Sequence, residues 1–138
     1  MTLLLLVFSI LALSPNAPHS SSTAGEDPSF TGVWKGDSVC QIKDSPCHDE
    51  VSVYYVSKGA EPNSFQMKMN KVVDGKEVTM GTVNCRADSG TGSYVCRLND
   101  FSTWTWHLNK SALDKSALDG DMQYRGQLYR KIHLIRAA

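Results

Sequence analysis

The stretch Ser64–Cys85, SFQMKMNKVVDGKEVTMGTVNC, decides the fold. Phe65, Met67 and Met69 alternate with Gln66, Lys68 and Asn70, and a period of two places the first set on one face of an extended chain. A half-buried strand is predicted over Ser64–Val73. Asp74-Gly75 follows, a pair suited to the positive φ angles of a type I′ turn, so the chain reverses and returns as a second strand over Glu77–Cys85. The unit is a β-hairpin.

The same rhythm extends in both directions. Short apolar runs separated by Gly, Pro, Asn and Asp predict strands at Gly32–Val39, Val51–Val56 (VSVYYV), Ser93–Leu98 and Ser102–Leu108, then one ending at Asp121–Tyr124, and Gln127–Arg136. The SGTG stretch, Asn99-Asp100, KSALDKSALDG and Arg125-Gly126 are read as connectors. Ser-Ala-Leu-Asp occurs at 111–114 and again at 116–119. A five-residue period suits neither helix nor strand, so the duplication is expected to lengthen a surface loop, or to form one or two helical turns. The count is about eight strands with short connections, which favours an antiparallel up-and-down meander. Closing that meander into a barrel removes both exposed edges. The fold class is therefore all-β.

The 138 residues carry 14 Lys+Arg against 14 Asp+Glu, a formal net charge of zero. Nucleic-acid binders carry a basic excess and membrane-surface binders a polybasic patch, so neither partner is expected. With 41% hydrophobic and 20% charged residues the composition is that of an ordinary globular chain. Leu3–Leu13 (LLLLVFSILAL) is too short to span a bilayer and reads as the apolar core of a secretory signal peptide. Ser22-Thr23-Ala24 supplies small residues for cleavage, although the basic residues usual before the apolar run are missing. The expected organisation is a signal peptide at 1–24, a flexible lead-in at 25–29 and a barrel domain at 30–138. No membrane anchor is expected after cleavage, and a monomer is.

Cys40, Cys47, Cys85 and Cys96 form an even set behind that leader, which reads as two disulfides in a secreted or periplasmic protein. Three pairings are possible. Cys40 with Cys47 and Cys85 with Cys96 are favoured, because each pair brackets a turn-rich segment, and such short loops contribute roughly 2.5–3 kcal/mol each on the chain-entropy model. A four-thiolate metal site would need the Cys-x-x-Cys spacing that is missing here.

Near the start of the first strand stands Gly32-Val33-Trp34, and on the last strand Leu128, Arg130, Ile132, Leu134 and Arg136 share one parity. First and last strands pair in a closed barrel. A guanidinium from Arg130 or Arg136 on the inner face can therefore stack over Trp34 and close the barrel end. These residues resemble the calycin superfamily, the lipocalins, fatty-acid-binding proteins and avidins, in which Gly-x-Trp opens the first strand and a late Arg packs across that Trp. The run GVWKG (32–36), the two cysteine loops and the ending YRKIHLIR (129–136) also resemble small secreted bacterial proteins of no assigned function.

Trp104 and Trp106 face one way with Leu108. Helped by Phe65, Met67 and Met69, the indoles would line a pocket for a small apolar molecule. The competing expectation is a solid core, since three Trp, five Tyr, four Phe and five Met suffice to fill an eight-stranded barrel. His48-Asp49-Glu50 offers metal-ligand chemistry, but adjacent strand positions diverge and a solvated loop is favoured. His107 and His133 are expected on the outer face. Asp119 with Asp121 is read as turn chemistry. No Gly-x-Ser-x-Gly elbow occurs, so no catalytic residue, metal or cofactor is assigned. Two function classes follow. One is a binder of a small apolar or amphipathic ligand, and the other is a module for a secreted protein partner, such as a hydrolase inhibitor, or a structural envelope component.

Overall fold

The computed structural model describes residues 29–88, 91–99 and 103–138. The expected leader, the lead-in up to residue 28, and Ser102 lie outside the described residues. Among the described residues eight strands follow one another: β1 (Gly32–Cys40), β2 (Glu50–Lys58), β3 (Ser64–Val73), β4 (Lys76–Asp88), β5 (Ser93–Arg97), β6 (Trp104–Lys110), β7 (Ala117–Tyr124) and β8 (Gln127–Arg136). Each pairs antiparallel with the next, and β8 pairs with β1, so the sheet is a closed barrel in chain order. At the β3–β4 turn, Asp74 (φ 51°) and Gly75 (φ 75°) both take the positive φ that a type I′ turn requires. Arg125 (φ 50°) and Gly126 (φ 77°) repeat that solution between β7 and β8.

The duplicated tetrapeptide departs from expectation. Its first copy is loop, with Leu113 fully exposed at 100%, whereas the second enters β7 and buries Leu118 to 1% exposure. No described residue of either copy is helical. Leu118 is drawn into the sheet because it lies opposite Leu134 on β8 and Lys110 on β6, where the barrel supplies both backbone partners and an apolar interior.

One end of the barrel is solid. Phe30 stacks on Tyr94 at 3.7 Å between ring centres, and Phe65 meets both rings edge-on at 5.1 and 5.9 Å. Trp34 is fully buried beside them and its Nε1 donates to the Phe30 carbonyl at 2.8 Å. Side chains of this size each contribute about 1.5–3 kcal/mol on burial.

Arg136 covers the indole of Trp34, its guanidinium 4.3 Å from the ring centre. Its Nη1 donates to the Thr31 carbonyl at 2.6 Å and its Nη2 to the Ser29 carbonyl, which holds the chain ahead of β1 against the barrel. Gly32 explains its own place in the pattern. It has φ 127°, and a Cβ there would lie 2.6 Å from Arg136 Nη1. Of the two arginines considered for closure, Arg136 is the one at Trp34. Arg130 pairs with Cys40 at the opposite end of β1.

Both disulfides form as favoured, Cys40–Cys47 between β1 and β2 and Cys85–Cys96 across β4 and β5. Cys85 and Cys96 lie directly opposite one another and are fully buried in the core.

Candidate functional site

The other end of the barrel is not filled. A cavity of about 320 Å³ opens there, beside the Cys40–Cys47 loop. Its apolar wall comes from Met69, Met80, Leu98, Trp104, Trp106, Met122 and Tyr129. Trp104 is braced by Tyr124 at 4.7 Å and, edge-on, by Tyr129 at 5.0 Å. Trp104, Trp106 and Met69 are thus brought together at one cavity, as three of the five residues expected to line a pocket. Phe65 and Met67 are not among its lining residues. Phe65 belongs to the aromatic cluster at the solid end and Met67 is fully buried in the core, because a shared strand face does not mean a shared height in the barrel.

Two further wall residues come from irregularities in the strands. Met69 pairs with Gly81 and Asn70 with Thr79, so Met80 is the extra residue of a β-bulge. Likewise Met122 pairs with Arg130 and Gln123 with Leu128, which leaves Tyr129 as the extra residue of a second bulge. Bulges at barrel rims re-aim side chains, and here each delivers one to the cavity wall. Alternation alone assigns the inner face around position 129 to Leu128, which does not line the cavity.

The polar part of the lining comprises Ser38, Glu50, Tyr54, Lys71 and Arg130. Arg130 Nη1 donates to the Ser38 carbonyl at 3.2 Å and to the His48 carbonyl at 3.1 Å. It also lies 3.6 Å from Glu50 Oε1, and the two side chains are only 10% and 9% exposed. This is a buried ion pair facing an apolar cavity. Burial pushes the Tyr54 phenol up to about 12, an effect opposed by the nearby Ser52 hydroxyl and Trp106 indole. Those two neighbours approach Tyr54 without hydrogen-bond geometry, and Ser52 Oγ and Trp106 Nε1 are buried with no partner.

Glu50 corrects the reading of the His48-Asp49-Glu50 cluster as a solvated loop. It is the first residue of β2 and its carboxylate turns inward to Arg130, while His48 and Asp49 stay exposed. Asp49 accepts from the Cys40 amide at 2.8 Å. Asp119 and Asp121 are not turn residues either. Both lie on β7, where Asp119 meets His133 Nδ1 at 2.6 Å and Asp121 meets His107 Nδ1 at 3.1 Å. Among the described residues no group of three or more His, Cys, Asp or Glu is placed to hold a metal ion.

The sequence reading missed Ser38, Glu50, Tyr54, Met80, Leu98, Met122 and Tyr129. The alternation of Ser52, Tyr54 and Val56 on β2 pointed to Tyr54, and the parity of Met122 with Gly120 and Leu118 on β7 pointed to Met122. Nothing local marked Glu50. No protein-family model matches the chain and no curated protein is significantly similar to it.

Proposed function

We propose that the protein is an exported calycin-type barrel, secreted or periplasmic, that binds one small apolar or amphipathic molecule and catalyses no reaction on it. The observation that carries this reading is the unequal filling of the barrel. Aromatic rings and Arg136 plug one end, while the other keeps a cavity of about 320 Å³ walled by indoles and thioethers. Small-molecule sites are concave, mostly apolar, of this order of volume, and carry a few convergent polar groups. Gly32, Trp34 and Arg136 support the calycin reading, since the late arginine packs across the tryptophan of Gly-x-Trp. The two disulfides support an oxidising compartment.

Native mass spectrometry of the protein purified from its own source, set against the denatured mass of the same sample, tests the proposal. A discrete small-molecule increment in the native mass alone is the expected result. Equal masses, together with no uptake of added apolar compounds, would overturn it and redirect the search to protein partners of the loops.

A further inference from the structure

Residues 41–49, between β1 and β2, form a strap beside the cavity mouth. β1 pairs with β2 from Gly32 with Val56 as far as Ser38 with Glu50, whereas its pairing with β8 continues to Cys40 with Arg130. Cys40 has therefore left β2, and the disulfide to Cys47 fixes the return of the chain where the ladder no longer does. Both ends of the strap are bonded to consecutive residues of β8. The Gln41 amide donates to the Tyr129 carbonyl at 2.9 Å, and the His48 carbonyl accepts from Arg130 Nη1 at 3.1 Å. Tyr129 and Arg130 both line the cavity. Across the base of the strap the Asp49 carboxylate accepts from the Cys40 amide at 2.8 Å. Bonds inside the strap, such as Ser45 Oγ to the Ile42 carbonyl at 3.3 Å and the Cys47 amide to Ser45 Oγ at 3.2 Å, shape it without docking it.

We propose that the Cys40–Cys47 disulfide is a redox-sensitive latch: a dithiol reductant opens it, the strap comes away from Tyr129 and Arg130, and the cavity releases its ligand. This rests on the cavity being a ligand site. Access selects the bond that opens, because Cys85 and Cys96 are fully buried while Cys40 and Cys47 are half-buried on an exposed loop. One thiolate of the reductant attacks one of these two sulfurs, the S–S bond breaks, and the other sulfur leaves with the bonding pair and takes up a proton. The second thiol of the reductant then closes on the mixed disulfide, so the protein ends with two thiols and the reductant as a disulfide. Arg130 keeps Glu50 and the Ser38 carbonyl but loses the His48 carbonyl, and Tyr129 loses the Gln41 amide. The plug of Phe30, Phe65, Tyr94 and Trp34 at the opposite end makes none of these contacts, so the mouth loosens while the barrel holds.

The test uses the refolded, disulfide-bonded chain, treated with graded dithiothreitol until peptide mapping shows Cys40 and Cys47 alkylated and Cys85 and Cys96 still joined. The probes are 1-decanol and decanoate, followed by tryptophan fluorescence and native mass spectrometry. Reduction is expected to raise the Kd of whichever probe binds by about threefold or more, as follows when the strapped, binding-competent form becomes the minor one, and reoxidation should restore it. The Cys40→Ser, Cys47→Ser double variant should match the reduced protein and ignore dithiothreitol. If that variant does not fold, the reversible change in the natural sequence decides. Amide exchange read by NMR needs no ligand. The Gln41 amide should exchange about tenfold faster after reduction, while the Ala87 amide, bonded to the Asn63 carbonyl at 2.9 Å, should not change. Equal affinity in the two redox states, or equal acceleration at Gln41 and Ala87, would overturn the latch and leave the cavity reading standing. Failure of both probes to bind even the oxidised protein would overturn both.

Discussion

The Arg136 guanidinium lies 4.3 Å from the centre of the Trp34 ring, and the missing side chain of Gly32 leaves the space it occupies. Gly32→Ala adds a Cβ 2.6 Å from Arg136 Nη1 at a backbone φ of 127°, so it is expected to destabilise the barrel by about 1–3 kcal/mol. Arg136→Met removes the cation–π contact, worth about 0.5–2 kcal/mol, together with the bonds to Thr31 and Ser29. Urea unfolding of both single variants and the double variant checks the coupling. Part of the alanine's cost should disappear once the guanidinium is gone.

At the other end, the Arg130–Glu50 pair predicts an asymmetry between single and double replacement. Glu50→Gln or Arg130→Met alone leaves a buried charge without its partner, and each is expected to cost about 3–5 kcal/mol. Replacing both with Met should recover most of that loss. Denaturation midpoints of the three variants measure it. A double variant that costs as much as the two single variants summed would show that the pair is not coupled.

The two disulfides differ in access. Cys85 and Cys96 are fully buried in the core, whereas Cys40 and Cys47 lie half-buried in the loop beside the cavity mouth. Under graded reductant followed by alkylation and peptide mapping, Cys40 and Cys47 should be labelled first, while the barrel is still folded. Replacing Cys85 and Cys96 by Ala should cost more stability than the same change at Cys40 and Cys47, since it combines about 3 kcal/mol of loop constraint with a core defect.

Burial pushes Tyr54 up to about 12 from an ordinary 10.0, so the folded barrel holds its phenolic proton more tightly than the unfolded chain does. Stability from this residue is therefore complete below about pH 10 and is lost as the pH rises towards 12. Tyr54→Phe has no proton to lose. Urea midpoints at pH 8 and pH 11.5 should fall further for the natural sequence than for the variant.

The two copies of Ser-Ala-Leu-Asp supply a paired comparison. Leu113 is 100% exposed and Leu118 is 1% exposed. Leu118→Ala is expected to lower stability by about 2–5 kcal/mol, and Leu113→Ala to change it by no more than about 0.5 kcal/mol. Thermal melts of the two variants check both values.

That pair also marks where reading the chain stops. The alternation in Ser64–Val73 and the Asp74-Gly75 turn are local, because strand period and turn chemistry depend on neighbours in sequence, and they specified the hairpin, the all-β class and the meander without help. The cysteine pairings were local for the same reason. Identical tetrapeptides carry identical local preferences, so nothing in SALD separates Leu113 from Leu118. Only the backbone groups and apolar side chains of β6 and β8, brought alongside by barrel closure, do so.

The cavity divides in the same way. Trp104, Trp106 and Met69 were legible from alternation, but the height of each residue along the barrel axis was not, which is why Phe65 and Met67 belong to the core instead. Met80 and Tyr129 reach the wall through bulges, and a bulge breaks the period on which the reading depends. Glu50 and Arg130 are 80 positions apart in sequence, and their attraction exists only once β1, with β2 on one side and β8 on the other, brings them within 3.6 Å. Strands and turns were legible along the chain because each is set over a few residues, and the favoured disulfide pairing formed because each loop is short. The tertiary structure decided which arginine closes the barrel and which one charges the cavity, because that depends on strand register, a property of paired chains rather than of one.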